Sequence, residues 1–594
     1  MRKVLLYICS VFILGGMTSC EDFLDKREDV GLTEDDIFRD YYSLRGFLDQ
    51  SFNQLENVMV MDNWENGRAF VGLFADEMAT TDNSSAVFTL HSGNWLSNAK
   101  SNTTFEIGNG GSTAISRSYK ALRINNRIIN DIDKAPLTPE QKNEILGQAY
   151  FYRSWFYFQV IKRYGGMPII DKVFEGGDDD IPRMTYHESH DWMMEDIQKA
   201  IYMLPDSWDD PNYGRPTKIA AMALKEWAQL FDASPLMQND LNSTENKGYD
   251  TERAKSAAKS AYEVIRYMDG SKSAPYPYGL ASKEEYTNVF YFKYPPVHQP
   301  EYIWVKRQFP NAANQNQKRT IRTFWQYEDL AFGSGPDGNS MCCPSLNIVN
   351  MFDKKGADGI YYPIDDPRSG YALDYDHKPF EDRDPRFYNN ILLPGTTWGH
   401  YADGRTYYIT TYKGGAAYQH MLTQKDCNKR MFTGFMCKKF MWPECNQYLE
   451  KNNPNCWWDY RFLTIYIRAS QIYLDYAEAL FEGCGSATAT IEGCPISAAE
   501  AINILRRRIG LTDLPSDIVA DPDKFRAAYR RERAVELMFE NHRWWDIRRW
   551  MILEETFKDT YPIKGALFTP RESNHGSITD KSTLTYDYEQ IDIT

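Results

Sequence analysis

The chain has 594 residues, 42% hydrophobic and 25% charged, and a formal net charge of −15 at pH 7. Such a composition supports a globular protein with ample core. The acidic balance excludes nucleic acid as a partner, because phosphate binding needs a basic face, and the aromatic share of 14% suits neutral ligands.

The chain opens with Arg2 and Lys3, a mostly apolar run from Val4 to Gly16, and Gly16-Met17-Thr18-Ser19-Cys20. The apolar run is too short for a permanent span, which takes about 20 residues across about 30 Å of hydrocarbon. Small residues ahead of a cysteine mark a lipoprotein signal, so residues 1–19 are expected to be cleaved and Cys20 to carry the lipid. Several acyl chains on one cysteine anchor stably, whereas one chain is marginal. Glu21-Asp22-Phe23-Leu24-Asp25 puts acids beside the anchor, which excludes a polybasic lipid-binding arm. Residues 20–594 are therefore expected to form one ectodomain, tethered to a membrane and built outside it.

Helical grammar covers about 30–61, 112–269 and 462–560. Thr138-Pro139-Glu140-Gln141 is a cap, a proline at the first helical position and a capping-box glutamine; the helix it opens should stop at Gly165-Gly166. Its apolar and aromatic residues fall nearly all around, so it should be buried among other helices. Thr217 caps a helix ended by Ser234-Pro235, and another begins at Thr251. Toward the C-terminus, Arg468 to Glu482 is helical, Ser497-Ala498-Ala499-Glu500 reads as a capping box, and one long helix is expected from Asp523 through Trp545. Arg533, Glu536, Glu540 and Arg543 lie on its charged face at i,i+3 spacing and read as paired scaffold residues. Residues 62–111 and 270–461 are rich in Gly, Pro, Asn, Tyr and Trp and read as loops and short strands, with Glu301 to Gln308 the clearest strand. A rigid helical frame with long inserted loops places recognition on the loops.

Enzyme signatures are lacking: there is no GxSxG elbow, HExxH, P-loop or dinucleotide fingerprint. His187-Glu188-Ser189-His190 sets two histidines at i,i+3 but offers no third metal ligand, so it reads as the start of a helix. Asp76 and Glu77 are paired carboxylates, yet neighbours in sequence point apart, and glycosidase chemistry needs two carboxyls facing one bond. Asp374 to Asp384 is oxygen-rich without EF-hand spacing and reads as a solvated acidic loop, so structural calcium is an alternative and no cofactor is expected. Eight cysteines follow Cys20, all in the C-terminal half; two or three disulfides are expected in an exported protein, with the pairing open.

Several segments, in order, resemble the SusD/RagB family of outer-membrane glycan-binding lipoproteins that partner TonB-dependent transporters. They are Cys20 to Asp25, Gly147-Gln148-Ala149-Tyr150-Phe151-Tyr152-Arg153 through Gly165-Gly166-Met167-Pro168, and Arg215-Pro216-Thr217-Lys218. Arg383-Asp384-Pro385-Arg386-Phe387, Thr433-Gly434-Phe435 with Lys438-Lys439-Phe440, Tyr473-Leu474-Asp475-Tyr476-Ala477-Glu478-Ala479 and Arg531-Glu532-Arg533 to Trp550 complete the set. The resemblance implies a mainly α fold, in which a tetratricopeptide-like helical scaffold packs against a loop-rich, irregular binding region. It further implies a lid docked on a SusC-like barrel in the outer membrane, with captured oligosaccharide or polysaccharide handed to the transporter. The inserts and cysteines between Met341 and Pro495 depart from the common pattern.

A sugar offers a face of C–H bonds and a rim of hydroxyls, which aromatic rings and small polar side chains match without any reaction. The candidates are loop tryptophans with polar neighbours, Trp64, Trp95 and Trp325, with Asn94 and Arg322 as polar partners. Trp398 and the Trp457-Trp458 pair are lesser candidates, and Trp304, on the strand-like segment, is assigned to the core. The expected protein is a non-enzymatic glycan-capture lipoprotein. The rivals are a lipid-anchored helical glycoside hydrolase and capture of a non-glycan nutrient such as peptide.

Overall fold

The computed structural model describes residues 33–55, 71–79, 114–174, 180–274, 276–291, 298–307, 343–400, 405–416, 418, 433–440, 463–560 and 563–593. The principal helices are α1 (Tyr41–Gln54), α2 (Ala114–Asp131), α3 (Pro139–Tyr164), α4 (Tyr186–Met203), α5 (Lys218–Ala233) and α6 (Thr251–Gly270). They continue as α7 (Ala469–Cys484), α8 (Ala498–Arg508), α9 (Pro522–Glu536) and α10 (Arg543–Arg549). Each helix from α1 to α8 packs on the next, and α6 packs directly on α7 although the whole loop-rich stretch lies between them in sequence. This nearest-neighbour stacking is the tetratricopeptide-like scaffold, interrupted once and resumed.

Its starts and stops follow local chemistry. Thr138 caps α3, and its hydroxyl and Gln141 form both bonds of the capping box. Thr217 caps α5 and Asp250 caps α6, whose first helical residue is Thr251. Ser497 caps α8 through Glu500 N, but the Glu500 carboxylate goes to Arg507 at 2.6 Å, so only half of the expected box forms. At the end of α3, Gly165 has φ 79°, and a β-carbon on Gly166 would overlap the Met184 carbonyl oxygen. The chain can turn there only with glycine.

Helix α3 is buried on almost every side, as its all-round apolar pattern predicts. Arg153 on α3 pairs with Asp196 on α4 through bonds of 2.6 and 2.8 Å and donates to Asn126 on α2 at 3.0 Å, joining three helices inside the core. Strand β2 (Tyr302–Arg307) pairs antiparallel with β4 (Leu463–Arg468), so the long insertion leaves and returns at one place beside the scaffold. Trp304 of β2 is a core residue: it is 2% exposed, its indole N–H donates to Gly214 O at 3.2 Å, and it stacks on Tyr466 at 4.5 Å. The last hairpin is β5 (Ile563–Pro570) with β6 (Tyr586–Ile593).

The long C-terminal helix expected from Asp523 through Trp545 does not form; it ends at Glu536 and resumes at Arg543. Side chains from elsewhere take the backbone groups that a continuing helix would use. Arg468 donates to Glu536 O at 2.7 Å, Lys439 donates to Met538 O at 2.9 Å, and Phe539 N–H donates to Glu77 Oε2 at 3.1 Å. Phe539 and Asn541 take positive φ in the turn that results. Cys437, Cys484 and Cys494 are free thiols, so none of these three serves the expected disulfides, and burial pushes the Cys437 thiol up. Cys342, Cys427, Cys445 and Cys456 lie outside the described residues. Among the described residues no helix is long and apolar enough to cross a membrane.

Candidate functional site

Two stretches that the sequence reads as loop-rich share a root. Strand β1 (Met78–Ala79) pairs antiparallel with β3 (Cys343–Pro344), placing Met78 opposite Pro344 and Ala79 opposite Cys343. The stretch 80–113 therefore departs where 308–342 returns. Ser345 N–H donates to Glu77 O at 3.1 Å, and the Ser345 hydroxyl caps the short helix Leu346–Val349. Trp95 and Asn94 belong to the first stretch and Arg322 and Trp325 to the second; all four, with Trp64, Trp457, Trp458 and Cys20, lie outside the described residues. Trp398 lies in the strand Thr397–His400.

The root is bolted to the scaffold by Asp76 and Glu77. Asp76 takes a two-pronged contact from Arg543, at 2.8 and 2.9 Å, while Glu77 caps the turn at Phe539. Burial raises Glu77 to about 8, aided by the neighbouring Asp76 charge and opposed by the Phe539 N–H, Arg543 and Lys439. The two carboxyls thus bind different partners and do not face one bond, so they have no glycosidase geometry.

Beneath the root lies a buried cage of charge. Glu536 accepts from Arg508 at 2.7 Å and from Arg468 and Arg386 at 2.9 Å. Arg468 also reaches Glu301 at 2.8 Å and Glu540 at 2.7 Å, and Lys439 reaches Glu540 at 2.7 Å. Burial would push Glu536 up, but Arg508, Arg468 and Arg386 together hold it well below the usual carboxylate range. Arg533, Glu536, Glu540 and Arg543 are thus paired scaffold residues as expected, yet they pair with other elements and not with one another. Arg533 meets Asp475 and Asp546, and Arg543 meets Asp76. A helix-face reading could not reveal this, because the partners come from distant parts of the chain.

A concave feature lies among the described residues. An open cleft is lined by Trp208, Tyr213, Tyr276, His298 and Trp304. Tyr276 stacks on His298 at 3.6 Å, and Tyr213 meets the same imidazole edge-on at 4.6 Å. These aromatics were not singled out from sequence; the signal was Asp209-Asp210-Pro211-Asn212-Tyr213 and Tyr276-Pro277-Tyr278, polar and aromatic residues alternating at turns.

His187 and His190 lie at the start of α4, where Thr185 and Glu188 form a capping box, as the sequence implied. In the acidic stretch Asp374 to Asp384, Asp374 holds His377 at 2.8 Å, and Asp384 caps the helix Pro385–Asn390 while pairing with Arg386 at 2.7 Å.

The fold defines a class: a helical-repeat scaffold interrupted by a loop-rich insertion whose ends are pinned to it. A SusD family model matches residues 300–588, and a second, described as starch-binding associating with outer membrane, matches residues 22–226. The chain belongs to the SusD family. No curated protein sequence matches it. Among solved structures, a SusD-like protein from Bacteroides fragilis is 22% identical with a TM-score of 0.67, covering 95% of this chain and 93% of its own. A SusD-like carbohydrate-binding protein from the same organism is 19% identical with a TM-score of 0.62, covering 94% and 95%. A laminarin-binding SusD-like protein is 18% identical with a TM-score of 0.58, covering 88% and 93%. At these identities the likeness is one of fold.

Proposed function

We propose that this protein captures glycans at the surface of the outer membrane, held there by lipid on Cys20, and passes them to a SusC-like TonB-dependent transporter without cleaving them. The observation that carries the capture role is the shared root at Ala79 and Cys343, in a chain of the SusD family. It gives the stretches bearing Trp95 with Asn94 and Arg322 with Trp325 neighbouring origins on a frame stiffened by buried ion pairs. Aromatic stacking on the C–H face of a sugar and hydrogen bonds to its hydroxyls then supply affinity. Relatives described as starch-binding and laminarin-binding support a glycan as the ligand class. The scaffold roles of Asp76 and Glu77 favour binding over hydrolysis.

The test is calorimetric titration of the mature chain with plant, microbial and host-derived polysaccharides, with reducing ends assayed in parallel. Selective binding without new reducing ends is expected. New reducing ends would favour a hydrolase, and silence from a folded chain across the panel would favour a peptide cargo. Co-purification from membranes in mild detergent should recover a large barrel protein, and Cys20→Ala should release the protein from the membrane fraction.

A further inference from the structure

The sequence places His187 and His190 one turn apart, and the fold supplies the ligands that the sequence lacked. Asp232, in the last turn of α5, reaches both: His187 Nδ1 lies 2.7 Å from Asp232 Oδ1, and His190 Nδ1 lies 3.4 Å from Asp232 Oδ2. Asp191 joins them, with its Oδ1 at 2.9 Å from His190 Nδ1. His190 and Asp232 form a buried floor, their side chains 4% and 2% exposed, while His187 at 33% and Asp191 at 62% form an open rim. The Thr185–Glu188 capping box fixes the first turn of α4, and with it three of these four side chains. One imidazole nitrogen and two carboxylates, from His190, Asp191 and Asp232, thus converge within 4.8 Å of one another from two adjacent helices, reachable from solvent, with His187 at their edge against Asp232.

We propose that His190, Asp191 and Asp232 form a binding site for a divalent transition metal of the zinc class, with water completing its shell, which staples α4 to α5. The donor set decides the class. Imidazole with carboxylate suits zinc and its neighbours, whereas calcium takes six to eight oxygens and magnesium an octahedral oxygen shell, which these residues do not offer. Ligand atoms around a tetrahedral zinc lie roughly 3.3–3.6 Å apart, so the contacts of 2.9 and 3.4 Å made by His190 need only small adjustments. The charge also balances. Arg253, in the first turn of α6, contacts Asp232 and lies 3.4 Å from Asp191, leaving two carboxylates against one cation. Its side chain is 31% exposed with Asp250 at 4.0 Å, so it can yield to a dication and remain paired, which makes the site neutral.

The test uses the full mature chain without a polyhistidine tag and with two probes: zinc alone in equilibrium dialysis, and cobalt(II) alone by visible absorption. One zinc per chain is expected, with cobalt bands of tetrahedral intensity and a higher unfolding temperature in zinc, since a ligand of the native state stabilises it. His190→Ala, and Asp191→Ala at the exposed rim, should each lose the stoichiometric uptake and the bands. His377→Ala, at the separate His–Asp pair, should keep them. Arg253→Ala should bind metal more tightly, because it removes the competing cation. A folded wild type that takes up no metal, or uptake and spectra unchanged in His190→Ala and Asp191→Ala, would overturn the site.

Discussion

Ala79 stands opposite Cys343 in an antiparallel ladder of two residues per strand, joining stretches of chain that are far apart in sequence. The ladder matters through what it roots: one stretch carries Trp95 and the other Trp325. Strand pairing this short contributes little by itself; Arg543 on Asp76 and the Phe539 N–H on Glu77 hold it in place.

If both tryptophans serve one sugar-binding surface, Trp95→Ala and Trp325→Ala should each weaken binding of a demonstrated glycan about tenfold, or ~1.4 kcal/mol, with the fold intact. Trp304→Ala should do the reverse. It removes an indole packed between Phe151, Trp155 and Tyr466, so it should cost about 3–5 kcal/mol of stability. Calorimetry beside denaturant titration separates the two effects, and unchanged affinity in both loop variants would remove those tryptophans from the site.

Glu536 is the hub of the buried cage, and Glu536→Gln would leave Arg386, Arg468 and Arg508 without their shared counter-charge. Breaking a buried network from one side typically costs about 3–5 kcal/mol. Arg507→Ala, which breaks an ion pair with side chains 47% and 44% exposed, should fall within about 1 kcal/mol of wild type. Urea midpoints of the two variants check the contrast; equal shifts would mean that the cage adds nothing beyond a surface pair.

Much of the scaffold was legible because its signals are local. Thr138, Gln141, Gly165 and Thr217 announce the bounds of α3 and α5 through hydrogen bonds three or four residues long. The break after Glu536 was illegible for the opposite reason, since Lys439, Arg468 and Glu77 impose it from distant segments. The same limit hid Asp232 beside His187 and His190, a meeting that depends on how α5 lies against α4. The aromatic cleft was illegible for the same reason, since Trp208, Tyr213, Tyr276 and His298 come together only in the fold. Trp64, Trp95 and Trp325 stand out in the sequence only by the polar residues around them, and their placement lies outside the described residues.

Gly166 tests the exit from α3. Its hypothetical β-carbon would overlap backbone atoms of Met184 and Thr185, which cannot move aside as a flexible side chain can. Gly166→Ala should therefore destabilise by about 2 kcal/mol or more, beyond the ordinary cost of a surface change. Gly46→Ala, inside α1 with no atom within 4 Å of the added carbon, should be neutral or slightly stabilising. Thermal unfolding of the two variants reads the difference directly.

Glu77 gives the root a pH dependence of definite sign. Its carboxyl is raised from 4.5 to about 8 in the folded protein, chiefly by burial. Below about pH 4.5 both folded and unfolded chains hold the proton, and the full contribution to stability is present. As pH rises toward 8 the unfolded chain releases the proton while the folded one keeps it, so stability falls, by about a few kcal/mol in total, and levels off once the folded carboxyl also ionises. Glu77→Gln keeps an oxygen for the Phe539 N–H and places an uncharged amide where Glu77 Oε1 has no hydrogen-bond partner. The variant should lose this part of the slope and gain on wild type steadily from about pH 5 to about pH 8. Urea unfolding at those two pH values decides the matter: parallel losses in both proteins would assign the slope to other groups, whereas a widening gap would identify Glu77 as the proton that holds the loop root to the scaffold.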